Sequence, residues 1–155
     1  YRLLPYLYSE YMKAAIRGKL YFRPLAFDFP EDSEAAQVED QLLVGDSIMM
    51  TPLLEKRKNK RTIYLPEDMT KVFYDGSFHT SELEKGFHEI HARPGQVVFF
   101  IRKDCLVPVA EDAEHVEQVD LKTVTLLGTG TQYEQYLDDG QTKDYGESHI
   151  RTLTK

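Results

Sequence analysis

The sequence predicts a mainly β protein, an antiparallel β-sandwich preceded by one amphipathic α-helix. Two observations carry that expectation. A three- and four-residue apolar period is confined to residues 1–17, and everything after Gly18 consists of short apolar runs separated by Gly, Pro or Asp turns. Strands spaced roughly every 8–15 residues indicate a sandwich or barrel rather than a parallel α/β sheet.

Leu4, Leu7, Tyr8, Tyr11, Ala14 and Ala15 form one broad stripe over the first segment. Pro5 is tolerated in a first turn, where its missing N–H has no partner to lose. Gly18 between Arg17 and Lys19 is a C-terminal stop, a glycine for the left-handed cap beside cations for the negative dipole end. An isolated helix of this length is marginal in water, so its stripe requires a packing partner. The chain opens at Tyr1 with neither a methionine nor a signal-peptide pattern, already within the helical period, which leads to the expectation of a piece of a longer protein.

Beyond Gly18, Leu25, Phe27 and Phe29 alternate with Ala26 and Asp28 and predict a strand ended by Pro30. Glu31 to Asp40 reads as a loop or short helix. Leu42–Val44 and Ile48–Met50 flank Gly45-Asp46, which suits a two-residue hairpin. Further strands are expected at Thr62–Leu65, Phe87–His91, Val97–Ile101, Val119–Leu127, Tyr133–Leu137 and His149–Leu153. Turns are expected at Tyr74–Ser77, Arg93–Gly95 and Asp138–Gly140. The polar stretch Glu111–Glu117 reads as an internal boundary.

Composition excludes several function classes. The 155 residues carry 26 acidic against 19 basic side chains, a net charge of −7 and the wrong sign for a phosphate backbone, so no nucleic-acid partner is expected. No apolar stretch approaches the ~20 residues of a membrane span. Cys105 is the only cysteine, which leaves no internal disulfide and no cysteine-based metal centre, and its apolar neighbours favour a structural role.

No constellation supplies an active site. His88 and His91 around Glu89 resemble a zinc-protease motif, but that motif needs histidines at i and i+4 on one helix face. Here they stand three apart on a strand, which sends the two rings to opposite faces. Lys56 to Arg61 holds five bases in six residues, read as a solvated loop that blunts a sheet edge. Glu31-Asp32, Glu111-Asp112 and Asp138-Asp139 are consecutive acids, whereas glycoside hydrolysis needs two carboxylates facing each other across ~5–9 Å. Gly128-Thr129-Gly130 lacks the third glycine and the strand–turn–helix setting of a phosphate loop. No catalytic, cofactor-binding or metal-ligating residue is therefore assigned.

Several stretches carry a family resemblance. Tyr1-Arg2-Leu3-Leu4-Pro5-Tyr6-Leu7-Tyr8 resembles the last barrel helix of glycoside hydrolase family 31, the α-glucosidase and α-xylosidase family. Arg23-Pro24-Leu25 and Phe29-Pro30-Glu31-Asp32 are similar to the segment after that helix. Asp40-Gln41-Leu42-Leu43-Val44-Gly45-Asp46-Ser47-Ile48-Met49-Met50-Thr51-Pro52 is similar to the hairpin that opens the family's C-terminal β domain. Tyr64-Leu65-Pro66, Phe99-Phe100-Ile101-Arg102 and Leu137-Asp138-Asp139-Gly140 extend the likeness. Lys71-Val72-Phe73 stands where the family often has Trp, and Lys103-Asp104 replaces a small residue and glycine, departures that fit a divergent bacterial member.

The resemblance implies residues 1–18 as the final helix of a (β/α)8 barrel, 19–106 as a proximal C-terminal β-sandwich and 107–155 as the start of a distal β region. It implies a parent that hydrolyses α-glycosidic bonds with retention, using a carboxylate nucleophile and a carboxylic acid that both lie upstream of this chain. The implied role here is non-catalytic buttressing of the barrel, the implied partners are the rest of that glycosidase and its α-linked oligosaccharide substrate, and the implied location is the cytoplasm. A free-standing carbohydrate-binding or interaction sandwich is the other reading, favoured by ten Tyr and eight Phe and disfavoured by the lack of Trp. Without a barrel, the helix stripe is expected to leave the chain sticky or the helix frayed.

Overall fold

A computed structural model of the chain describes residues 1–52 and 59–155, so Lys56, Arg57 and Lys58 of the basic run lie outside the described residues. The chain divides into two compact units, one formed by residues 1–21 with 104–155 and the other by 22–103. The helix and the distal region form one unit rather than two separate pieces. Among the described residues no helix is long and apolar enough to cross a membrane.

In residues 22–103 the main sheet has six strands, β1 (Phe22–Pro24), β2 (Leu42–Val44), β3 (Ile48–Met50), β5 (Met69–Tyr74), β6 (Phe78–Leu83) and β8 (Val97–Arg102). They are ordered β1-β2-β3-β8-β5-β6, and every pairing is antiparallel. The second layer is a two-stranded sheet of β4 (Lys60–Leu65) and β7 (Gly86–His91), antiparallel with Ile63 opposite His88 and Tyr64 opposite Phe87. Leu43, Met49, Met69, Val98 and Phe100 of the larger sheet meet Ile63, Leu65 and Ile90 of the smaller one in a single core. The expected antiparallel sandwich is therefore the architecture of this unit. On the other face of the six-stranded sheet Val44, Ile48, Val72, Phe99 and Ile101 are also buried. Apolar side chains on both faces explain why β2, β3 and β8 read as continuous apolar runs instead of alternating ones.

Two expectations are corrected here. Residues Leu25–Asp28 form a helical turn, α2, and not a strand. Its alternation is coincidental, because Leu25 is fully buried, Phe29 packs against the core and Phe27 points to solvent. What fixes the turn is charge. Asp28 at its end receives both arms of Arg23, at 2.6 and 2.9 Å, and a third bond from Arg102 at 2.7 Å. The hairpin between β2 and β3 has three loop residues, Gly45 to Ser47, since Val44 pairs with Ile48. Gly45 takes φ 60, a left-handed conformation that glycine adopts without a Cβ penalty.

The other unit contains α1 (Leu4–Arg17), β9 (Leu106–Val109), β10 (Thr125–Gly128), β11 (Gln132–Tyr136) and β12 (Ile150–Thr154). β9 pairs with β10, β11 pairs with β12, and α1 packs on β9 and β11. Gly18 caps the helix at φ 64, and the Lys19 N–H bonds the Ala14 carbonyl at 2.9 Å. The strand expected over 119–127 begins only at Thr125. The preceding residues form a loop that Gln135 and Arg151 hold by bonds to the Leu121 and Lys122 carbonyls. Strand β9 escaped the sequence reading because Leu106-Val107-Pro108-Val109 is a buried run with no alternation to mark it.

Candidate functional site: a two-faced helix

The helix buries the face opposite to its apolar stripe. Tyr6, Ser9, Glu10 and Lys13, at steps of three and four, are buried, whereas Leu4, Leu7 and Tyr8 are half-buried and Tyr11 is 59% exposed. The buried face is largely polar, and its groups are satisfied one by one. Ser9 Oγ donates to the Pro5 carbonyl at 2.6 Å and accepts the Tyr136 N–H at 3.1 Å. Lys13 Nζ lies 2.6 Å from Glu10 Oε1, which also accepts the Tyr133 hydroxyl at 2.7 Å. The same ammonium sits 4.6 Å above the Tyr133 ring, a cation–π contact. Burial, and then the Glu10 carboxylate, push the Tyr133 phenol well above its usual range, so it stays a donor.

Two further contacts fasten the helix ends. Arg17 forks to Glu147 at 2.7 and 2.9 Å and to Glu134 at 2.7 Å, a network on the helix's last turn that matches its dipole. The Tyr8 hydroxyl donates to Asp138 Oδ2 at 2.7 Å, and burial followed by that bond raises the Tyr8 phenol. Asp138 therefore does more than terminate a turn, because it ties the Asp138–Gly140 corner to α1. Asp139 does only local work, accepting from the Gln141 and Thr142 N–H groups.

The remaining sequence candidates do not converge on a reaction centre. His88 and His91 both lie on β7 and point to opposite sides, as the strand period requires. His88 lies 2.7 Å from the Glu84 carbonyl, and His91 2.9 Å from Glu89. Of the basic run, Lys60 pairs with Glu89 at 3.1 Å and Arg61 with Asp40 at 2.6 Å. Asp32 is held by Lys85 and by the Tyr64 hydroxyl, both at 2.8 Å, and its other oxygen caps the turn at Glu34 and Ala35. Lys85 is the largest reason that its carboxyl falls to about 2. A carboxylate so committed to a cation and to backbone donors is a structural anion. Asp112 pairs with Arg2 at 3.4 Å. No group of three or more His, Cys, Asp or Glu among the described residues could hold a metal ion.

What sequence reasoning missed is which face of α1 the chain itself uses. The signal was present in Ser9, Glu10 and Lys13, an i, i+1, i+4 polar set opposite the stripe. Polar helix faces normally read as solvated, which hid it.

Comparison with known proteins places this geometry. Residues 18–107 match the family model described as the glycosyl hydrolase family 31 C-terminal domain. The whole chain is 27% identical to 22% of α-glucosidase 2 of Bacillus thermoamyloliquefaciens. Across 97% of its length it is 32% identical to 17% of the glucosidase 2 α subunit of Schizosaccharomyces pombe. Among solved structures, a Flavobacterium johnsoniae GH31 dextranase overlays 98% of the chain with a TM-score of 0.77 at 24% identity, using 19% of its own length. The GH31 α-xylosidase of Xanthomonas citri overlays 90% with a TM-score of 0.63 at 26% identity, using 15% of its own length. The chain spans about a fifth of the length of the relatives it matches. The chain therefore belongs to glycosyl hydrolase family 31, through its C-terminal domain.

Proposed function

We propose that this chain is the non-catalytic C-terminal portion of a retaining α-glycosidase and that it buttresses the catalytic barrel through α1. The observation that carries the reading is the orientation of the helix. Its polar face is engaged with β9 and β11, whereas Leu4 and Leu7 are only half-buried and Tyr11, 59% exposed, touches Tyr21 alone among the aromatic rings described, which leaves apolar surface for another partner. Fully burying a large apolar side chain is worth about 1.5–3 kcal/mol, so completing the burial of two half-buried leucines and an exposed tyrosine supplies an interface term of about 3 kcal/mol. The parent's substrate is then an α-linked oligosaccharide bound and cleaved by residues outside this chain. The role of 1–155 is to complete and stiffen the barrel wall.

Co-expression tests it. The chain should co-purify with the upstream barrel segment of its parent, and Leu7→Asp with Tyr11→Asp should abolish that association while leaving the chain's own fold intact. Undiminished association of the double variant would refute the docking role of the stripe.

A further inference from the structure

The outward face of the β4–β7 sheet has a feature that neither the core nor the helix explains. Cross-strand pairing and the two-residue period put Lys60, Thr62, Tyr64, Phe87, Glu89 and His91 on this face. An antiparallel sheet with one face on the core presents polar residues on the other, and, with Tyr64 buried at the edge of the core cluster, Lys60, Thr62, Glu89 and His91 conform. Phe87 does not, and it is 62% exposed.

Its ring is also held in place. Tyr64, its partner on the neighbouring strand, lies beside it with ring centroids 5.0 Å apart and planes tilted by 50°. Tyr64 is buried and pinned by its hydroxyl to Asp32 at 2.8 Å, and Asp32 is pinned in turn by Lys85 at 2.8 Å. The exposed ring thus rests against a fixed neighbour instead of swinging freely, so a molecule stacking on it finds the platform already ordered.

The groups around the ring specify the chemistry of such a molecule. Glu89 is shared between Lys60 at 3.1 Å and His91 at 2.9 Å, and Lys85 is neutralised by Asp32. Because the charges are paired in place, the face offers hydrogen-bond donors and acceptors without a net field that would recruit an ion. Thr62 adds a hydroxyl on the same face. An apolar ring bordered by balanced polar groups matches a pyranose, which has one C–H face and a rim of hydroxyls.

We propose that the outer face of β4–β7 is a surface saccharide-binding site with Phe87 as its stacking platform and Glu89, Thr62 and Lys85 as the polar rim. The choice of an α-linked glucosyl chain as ligand rests on the α-glycosidase reading above, whereas the platform rests only on this sheet.

Nuclear magnetic resonance titration of the 155-residue chain with maltotriose and isomaltotriose tests the site. A single aromatic platform with few polar contacts gives millimolar affinity, and removing the stack weakens it roughly tenfold. The expected result is a saturable shift of the Thr62, Phe87 and Glu89 amides that Phe87→Leu, which keeps apolar bulk but removes the ring, weakens about tenfold with the remaining spectrum unchanged. Phe87→Trp should tighten binding. No shift at millimolar sugar, shifts confined to another part of the chain, or an unaltered titration of Phe87→Leu would each overturn the site. The barrel-docking role would stand through any of these outcomes, because it is read by co-purification and not by sugar binding.

Discussion

Replacing Glu10 by Ala is the sharpest test of how α1 is held. Glu10 and Lys13 are buried 2.6 Å apart, and the Tyr133 hydroxyl completes the set at 2.7 Å. The substitution removes a hydrogen bond to a charged acceptor, worth about 1.5–3 kcal/mol. It also strands the Lys13 ammonium, and breaking a buried pair in that way costs about 3–5 kcal/mol when nothing compensates. Here the Tyr133 ring face compensates in part, since the ammonium already lies 4.6 Å above it. The net expectation is a loss of about 3 kcal/mol from the unit that contains α1. Tyr11→Asp, on the 59% exposed side, should cost that unit less than ~1 kcal/mol. Replacing Glu10 and Lys13 together by Leu should cost less than Glu10→Ala, about 1–2 kcal/mol, because an apolar pair substitutes for the ion pair and what remains is the Tyr133 hydroxyl deprived of its acceptor. Urea unfolding followed by amide exchange of α1 separates this unit from the sandwich, which a single global melt would blur. If Glu10→Ala is nearly silent and Tyr11→Asp unfolds the helix, the apolar stripe and not the polar face anchors α1, and the docking surface proposed for the barrel does not exist.

Other substitutions have outcomes as definite. Asp138→Ala should cost about 2 kcal/mol through loss of the Tyr8 bond, Asp139→Ala less than ~1 kcal/mol, and a double-mutant cycle of Asp138→Ala with Tyr8→Phe should show coupling. Gly130→Ala should destabilise by about 2 kcal/mol in chemical unfolding, because its Cβ would stand 2.7 Å from the Asp104 carbonyl oxygen and 2.9 Å from the Cys105 carbonyl carbon, neither of which can move aside as a side chain would. Acid should weaken the sandwich unit in a narrow window. Arg23 holds the Asp28 carboxyl below its usual range, and Lys85 holds Asp32 at about 2. Their stabilisation is fully present above the unfolded value and disappears as the pH falls from about 4 through the folded values. Melting temperatures read from pH 7 to pH 2 should show that fall, and Asp28→Asn should flatten it.

The parts of the fold legible in the sequence are those where one physical demand dominates. Gly18 between two cations marks the end of α1 because only glycine takes a left-handed cap cheaply. Strand β7 was readable because its outward residues are mostly polar and Ile90 is not. Legibility failed where two demands compete. Leu25 to Asp28 has a strand's alternation, but Asp28 is drawn to Arg23 and Arg102, and three charge-assisted bonds outweigh a weak β-pattern. Val119 to Leu127 has strand composition, but Gln135 and Arg151 claim the backbone carbonyls at Leu121 and Lys122. The family was legible from contiguous motifs. The function of individual acids was not, since Asp32 and Asp138 take their meaning from Lys85 and Tyr8, far away in the sequence.

The division of labour on α1 follows from what each surface can tolerate. A helix with an apolar face on both sides would have no preference between its strands and a barrel, and could dock either way round. Giving the inner face to Ser9, Glu10 and Lys13 removes that ambiguity. Those groups are tolerable only where the Tyr133 hydroxyl and the Tyr136 N–H meet Glu10 and Ser9 and where Glu10 meets Lys13, and they would be costly against an apolar wall. Leu4, Leu7 and Tyr11 would impose the opposite requirement on the barrel proposed to meet them. Orientation is thus set by the cost of the wrong arrangement as much as by the gain of the right one. For that reason charge reversal at Lys13, more than any loss of bulk along the stripe, should uncouple the helix from its strands.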